Sequence, residues 1–272
     1  IYKGSLLLII ILTIGFFTTT FASINGNGQG YLITSDNLEI QVNDLGKIIG
    51  LSDGIEPISS SEFLQGWQIQ ITDGKTEQEI SLQNSNNELL ENQLKISGSD
   101  SENELAITYT ITDFGSYISF KATLENLGEQ QKWFNFKFGV PIIYERESAT
   151  YWDGSAQASD LEGLVSSKMV GDGFPLSCIT GDESGIACGL HGHQLLSWLV
   201  TGLNAKEDEF YWASKMVLDP EQTDEIEFIV YSYKNDYGYL NAVDHYYGIY
   251  PELFSIAEGV DSKAIYGNCS SG

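Results

Sequence analysis

The side chains best equipped for chemistry lie in one irregular stretch, where Arg146 is followed by Tyr151, Trp152, Asp153 and Gly154. An aromatic plate stacks on the apolar face of a pyranose while a carboxylate and a guanidinium bond its hydroxyls. Mostly apolar clefts with a few placed polar groups are the usual form of a ligand site. Arg146, Tyr151, Trp152 and Asp153 are therefore the candidate carbohydrate-binding residues. The structural alternative is that Trp152 plugs the end of a sandwich. A second constellation, His191-Gly192-His193, has the i, i+2 spacing that sets two imidazoles on one strand face, as metal sites require. No cysteine or carboxylate stands nearby in sequence as a third ligand, so neither a metal nor a cofactor is expected. The plainer reading is a glycine-softened bulge with two exposed histidines. His245, between Asp244 and Tyr246 in a helical pattern, reads as a surface or interface residue.

Glycoside hydrolysis needs two carboxylates across one glycosidic bond, one of them protonated near neutral pH. Among 38 acidic residues no spacing selects such a pair, so catalytic residues stay unassigned. No phosphate-binding loop, dinucleotide fingerprint or HExxH motif is present. Thirteen basic residues against 38 acidic ones give a net charge of −25, and Arg146 is the sole arginine. That balance argues against nucleic acid, phosphate or anionic membrane as a partner, since those surfaces are bound by Lys/Arg patches. The acids are dispersed and form no Asp-x-Asp-x-Asp-Gly loop, so no specific calcium site is indicated.

Three cysteines fit an exported domain that does not depend on disulfides. Cys178 and Cys188 flank the turn at 180–184. A five-residue loop, 181–185, would set them opposite one another, whereas a four-residue loop would put them on opposite faces of the sheet. The register is open at this stage. Cys269 falls in Asn268-Cys269-Ser270, formally a weak glycosylation sequon.

Residues 1–22 read as a signal peptide: Lys3, the apolar run Leu6 to Phe17, then Thr20-Phe21-Ala22 before Ser23. The run is short for a membrane span, so a secreted or cell-surface protein is expected, with no membrane contact beyond that segment; a retained N-terminal anchor is the competing reading. From Tyr31 the period is two. Leu38, Ile40 and Val42 alternate with Glu39 and Gln41. So do Trp67, Ile69 and Ile71, then Leu105 to Ile111, Ile118 to Leu124, and Phe134 to Val140. Further strands fit 174–180, 185–191, 194–203, 208–218 and 224–234. Two stretches break the pattern: a polar loop at 84–92 and a long irregular insertion at 144–173. At Tyr237 the spacing becomes helical, which predicts one helix near 237–249. The fold class is all-β, a large antiparallel two-sheet supersandwich with one C-terminal helix. The supersandwich domain spans 23–235. Residues 236–272 hold the helix and the start of a downstream region.

The order of these elements resembles the galactose-mutarotase-like β-supersandwich, as found ahead of the catalytic barrel of large glycoside hydrolases. The matching pieces are Leu38 to Ile48, the Thr108 to Leu124 pair ending in Glu125-Asn126, and Phe138-Gly139-Val140-Pro141. Tyr151 to Gly154, Phe174-Pro175-Leu176 with Gly185 to Leu190, and Tyr246 to Phe254 complete them. The resemblance implies that catalytic carboxylates belong to a following barrel, which this sequence does not contain. It implies carbohydrate and the downstream catalytic domain as partners. A mutarotase proper would use a paired His and Glu, which do not map onto this sequence residue by residue. Two other readings stand beside it: a structural or adhesive cell-surface β protein, and a free-standing mutarotase-like sugar enzyme.

Overall fold

The computed structural model describes residues 23–26, 30–36, 38–54, 69–170, 174–194 and 198–253. The expected signal segment, Trp67 and the Cys269 sequon lie outside the described residues. The chain opens with β1 (Ser23–Gly26), β2 (Tyr31–Ser35), β3 (Leu38–Val42) and β4 (Ile48–Ser52). Next come β5 (Ile69–Asp73), β6 (Gln83–Leu89), β7 (Gln93–Asp100), β8 (Leu105–Asp113), β9 (Ile118–Asn126) and β10 (Lys132–Pro141). Three short strands follow: β11 (Thr150–Trp152), β12 (Gln157–Ala158) and β13 (Val165–Met169). The last strands are β14 (Leu176–Thr180), β15 (Ser184–Leu190), β16 (Leu199–Asn204), β17 (Glu209–Leu218) and β18 (Thr223–Lys234). The helix α1 (Tyr239–Ile249) and a 3-10 turn, Pro251–Leu253, close the described chain.

These strands make an all-β sandwich of antiparallel sheets with one C-terminal helix. Nine strands run in the order β12-β11-β14-β15-β18-β9-β8-β7-β6, and five in the order β13-β16-β17-β10-β5. Two-residue alternation sends Leu105, Ile107, Tyr109 and Ile111 of β8, and Phe134, Phe136, Phe138 and Val140 of β10, into one interior. Phe138 joins the two sheets, with its ring 5.0 Å from Phe120 and 5.3 Å from Phe228. Each such ring removed from water contributes roughly 1.5–3 kcal/mol.

The structure departs from the sequence reading in several places. The first strands form a separate four-stranded sheet, β1-β2-β3-β4, and do not extend either large one. Its Ile33, Ile40, Val42 and Leu51 nonetheless belong to the same core as β8 and β10. The polar stretch expected as a loop at 84–92 is the edge strand β6, with Asn87 opposite Ile96 and Glu88 opposite Lys95. Backbone groups make that ladder, so polar side chains do not prevent it, and a polar edge discourages pairing with other chains. The insertion at 144–173 is also less irregular than expected: β11 and β12 extend the nine-stranded sheet, and β13 extends the other. β11 and β12 are too short to show an alternation, and β13 buries none of its residues, so no apolar period marks it.

The helix begins two residues later than the spacing suggested. Gly238 takes a φ of 64° before it, and Asn241 Oδ1 accepts the N–H groups of Tyr237 (2.5 Å) and Asp236 (3.1 Å). The helix then lies over β14, β15 and β18. That is why β14 and β15 are buried along their whole length instead of alternating.

Thr180 pairs with Gly185, so the loop has four residues, 181–184, and Cys178 lies opposite Ala187 while Cys188 lies opposite Ser177. The two sulfurs fall on opposite faces, Cys178 beneath the helix and Cys188 in the inter-sheet core. Alkylation in denaturant without reductant, followed by peptide mass analysis, should find both thiols modified. A Cys178–Cys188 disulfide would show that this register is wrong.

Candidate functional site

The broadest surface the fold could offer a ligand is the outer face of the nine-stranded sheet, and α1 occupies its middle. β18 alternates Phe228 and Val230 into the core with Ile229, Tyr231 and Tyr233 on the outer face. Above these, with Leu176, Cys178 and Ala187, sit Ala242, Tyr246 and Tyr250. Three of the buried phenols find hydrogen-bond partners, as desolvated hydroxyls favour. Tyr231 Oη donates to the Ala242 carbonyl at 2.7 Å, Tyr246 Oη to the Leu190 carbonyl at 3.1 Å, and Tyr233 shares a 2.6 Å bond with Thr180. The His245 ring stacks on Tyr231 at 4.4 Å, and its Nε2 lies 2.9 Å from the Ser116 carbonyl. Burial pushes Tyr231 and Tyr233 well above the ordinary tyrosine range, and Cys178 up to about 12.

The four candidate sugar-binding residues are not gathered around one cleft. Tyr151 and Trp152 are neighbours on β11, so their side chains leave on opposite faces. Tyr151 enters the inter-sheet core, with Phe210 at 6.0 Å and its hydroxyl 3.1 Å from Thr201 Oγ1. Trp152 is 6% exposed and stacks on Tyr239 of the helix at 4.8 Å. Arg146 is ion-paired to Asp208. The Asp153 carboxylate accepts the N–H groups of Ser155 (2.9 Å) and Ala156 (2.7 Å) and lies 3.3 Å from Lys168 Nζ. Burial alone would raise its pKa, but those bonds outweigh it and hold the group below the usual carboxylate range. Trp152 thus plugs the sheet under the helix, and no open plate forms.

The His191-Gly192-His193 turn that follows β15 clasps the end of that helix. Both imidazoles meet the Tyr250 ring edge-on, at 5.2 and 6.0 Å, and His193 Nε2 lies 2.9 Å from Glu252 Oε1. A Cβ on Gly192 would come within 2.7 Å of the Tyr250 ring, so only glycine fits between the histidines. The side chains of His193 and Glu252 are 58% and 52% exposed, so this imidazole–carboxylate contact is a surface latch without a walled cleft. Among the described residues no cluster of three His, Cys, Asp or Glu side chains is arranged to hold a metal ion.

A polar groove runs beside the helix, around the far end of β18. It comprises adjoining clefts of about 440, 460 and 230 Å³, the first two sharing Tyr233 and Lys234, the last two sharing Asp182 and Ser184. Asp53, at the end of β4, is buried at its base. Tyr144 Oη donates to its Oδ2 at 2.6 Å, and Ser184 Oγ donates to the same oxygen. These three residues join the four-stranded sheet to the nine-stranded one across 91 and 131 positions of sequence. No local pattern could have revealed them. A carboxylate so engaged accepts hydrogen bonds and fixes shape. An acid for glycoside cleavage needs a raised pKa, whereas Asp73 and Asp153 are both held low.

No family model and no curated protein matches the sequence. Solved structures do match its shape. A galactose mutarotase-like protein from Lactobacillus casei aligns over 74% of this chain and 99% of its own, with a TM-score of 0.52 and 6% identity. A galactose mutarotase-like protein from Clostridium acetobutylicum aligns over 75% and 95%, with a TM-score of 0.52 and 6% identity. The fold is the galactose-mutarotase-like supersandwich. A GH36 α-galactosidase from Geobacillus stearothermophilus also carries it: the alignment covers 77% of this chain but 41% of that one, with a TM-score of 0.51 and 9% identity. At these identities the likeness is one of fold, and the supersandwich drawn from the sequence is borne out at that level.

Two measurements test the helix-covered face of this supersandwich. Trp152→Ala should cost roughly 3–5 kcal/mol in denaturant unfolding, as loss of a buried aromatic does. A cost under about 1 kcal/mol would mean that the helix does not pack there. Raised thiol and phenol pKa values favour the protonated native state, so their stabilisation is complete below the unfolded pKa values and is lost as pH rises above them. Stability should therefore hold to about pH 8.5 and fall progressively beyond it, as the unfolded thiols and then the phenols, near pH 10, release protons. Tyrosinate absorbance of the buried set should appear together with unfolding. Titration of those tyrosines near pH 10 with the fold intact would contradict their burial.

Proposed function

We propose that this chain is an exported, carbohydrate-associated module that carries no hydrolytic chemistry of its own and accompanies a catalytic domain of the same protein. The observation that carries the reading is where this fold recurs: as nearly the whole of the galactose mutarotase-like structures and as 41% of an α-galactosidase chain. The helix-covered face favours the second of these roles. α1 fills the middle of the large sheet with tyrosines, and the histidines are spent on Tyr231, Tyr250 and a surface carboxylate. Export rests on the n-, h- and c-region pattern of residues 1–22.

Purified protein should release no product from a panel of chromogenic glycosides and should not accelerate interconversion of sugar anomers in polarimetry. It should bind oligosaccharides weakly, with a Kd of about 1 mM, near −4 kcal/mol. Secreted material should begin at or near Ser23 by N-terminal sequencing. Turnover that survives purification and is abolished by replacing one carboxylate within the chain would overturn the non-catalytic reading. Catalysed mutarotation would favour a free-standing sugar epimerase instead.

A further inference from the structure

The helix and the Asp53 groove lie at the Lys234 end of β18. At the Thr223 end, on the order of 35 Å away along a twelve-residue strand, a separate cleft of about 520 Å³ opens between the turns of the two large sheets. Trp133 forms its aromatic wall. The alternation that buries Phe134 to 1% turns Trp133 outward, and the indole is 52% exposed. Exposed Leu127 lines the same cleft, and exposed Val217 stands opposite Trp133 on β17.

The walls are braced from inside the protein. Trp133 is paired to β17 on one side. On the other, the Gly74 N–H donates to its carbonyl at 2.7 Å. A Cβ on Gly74 would lie 2.9 Å from the Trp133 Cβ, so the β5 turn can approach this closely only with glycine there. The facing loop is organised by buried Asn126, whose Nδ2 donates to the carbonyls of Gln130 (2.8 Å), Leu218 (3.2 Å) and Asp219 (3.1 Å). Its Oδ1 accepts the Gly128 N–H at 3.0 Å. Lys132 crosses to Glu104 at 3.3 Å and ties in the β7–β8 turn. The indole is thus held on a strand, with polar side chains on braced turns around it, so the fold fixes the position of its exposed face.

We propose that this cleft is a carbohydrate-binding site in which one ring of a neutral oligosaccharide stacks on Trp133. The C–H face of a pyranose fits the exposed indole, and its hydroxyls reach the carboxylates of Glu102 and Glu129, the amide of Gln130 and the ammonium of Lys75 that line the same cleft. Charge selects the class of sugar. Four carboxylates (Asp73, Glu102, Glu104, Glu129) face two ammonium groups (Lys75, Lys132), which disfavours uronates and sulfated sugars. The inference rests on the carbohydrate-associated reading above and deepens it by naming the site.

The test uses the full chain, with maltohexaose, cellohexaose, xylohexaose and galactohexaose as neutral probes, oligogalacturonate as the anionic one and tetramethylammonium as the cationic one. Indole fluorescence and calorimetry read binding. At least one neutral hexaose should bind and shift the emission. Trp133→Ala should weaken it about tenfold or more with the unfolding temperature unchanged, and Trp133→Tyr should retain part of the affinity. Should Trp133→Ala lower the unfolding temperature, Glu129→Gln and Lys75→Ala take its place, and each should weaken the same hexaose. Binding that is unaltered in Trp133→Ala would overturn this site while leaving the carbohydrate-associated reading standing. Tetramethylammonium or oligogalacturonate bound in preference to every neutral hexaose would overturn the class of ligand. Failure of all neutral hexaoses to bind the unaltered chain would remove both.

Discussion

The docking of one eleven-residue helix onto a sheet decides which surfaces this fold leaves open. An outward sheet face ordinarily meets water and carries polar residues on alternate positions. Here the outer row of β18 is Ile229, Tyr231 and Tyr233, and it is stable only because Ala242, Tyr246 and Tyr250 lie over it. The tyrosines bring hydroxyls into a dry interface, and each unmet hydroxyl would cost about 1–3 kcal/mol. Carbonyls at Ala242 and Leu190 and the hydroxyl of Thr180 meet those of Tyr231, Tyr246 and Tyr233, which fixes where the helix sits. The His191-Gly192-His193 turn then holds the far end of the helix through Tyr250 and Glu252.

That constraint distributes the open surface. With the sheet face over β14, β15 and β18 closed, clefts among the described residues include the Asp53 groove at one end of β18 and the Trp133 cleft at the other. The two differ in chemistry. The groove is built around a carboxylate already occupied by Tyr144 and Ser184. The cleft presents a half-exposed indole among side chains that reach into solvent.

Much of the fold was legible because burial on one face forces a period of two. Phe134, Phe136 and Phe138, or Leu105 to Ile111, can alternate that way only in strands facing a common core. The same rule fails where both faces are buried, or where a strand is short or polar. It could not separate β6 from a loop, because Asn86, Asn87 and Glu88 contribute backbone pairing and little else. The candidate site was less legible. Tyr151, Trp152 and Asp153 read as a cluster because they are adjacent in sequence, yet adjacency on a strand sends side chains to opposite faces. Trp133 carries no local signal of its own beside the Phe134 row, although the alternation that buries that row also exposes its neighbour. The turns around it are held by Asn126 through contacts 92 and 93 residues away in sequence, which no local pattern encodes.

Cys178 lies directly beneath the helix and Cys188 lies in the inter-sheet core, so the pair reports on whether α1 is seated. The decisive measurement is the native-state labelling rate of each thiol, followed by peptide mass analysis. A seated helix predicts that Cys178 reacts orders of magnitude more slowly than a thiol of the unfolded chain, and that removing residues 236–272 exposes Cys178 while Cys188 stays protected. Cys178 labelled in the intact chain at the unfolded-chain rate, with Cys188 protected, would show that the sheet face is open and contradict the account.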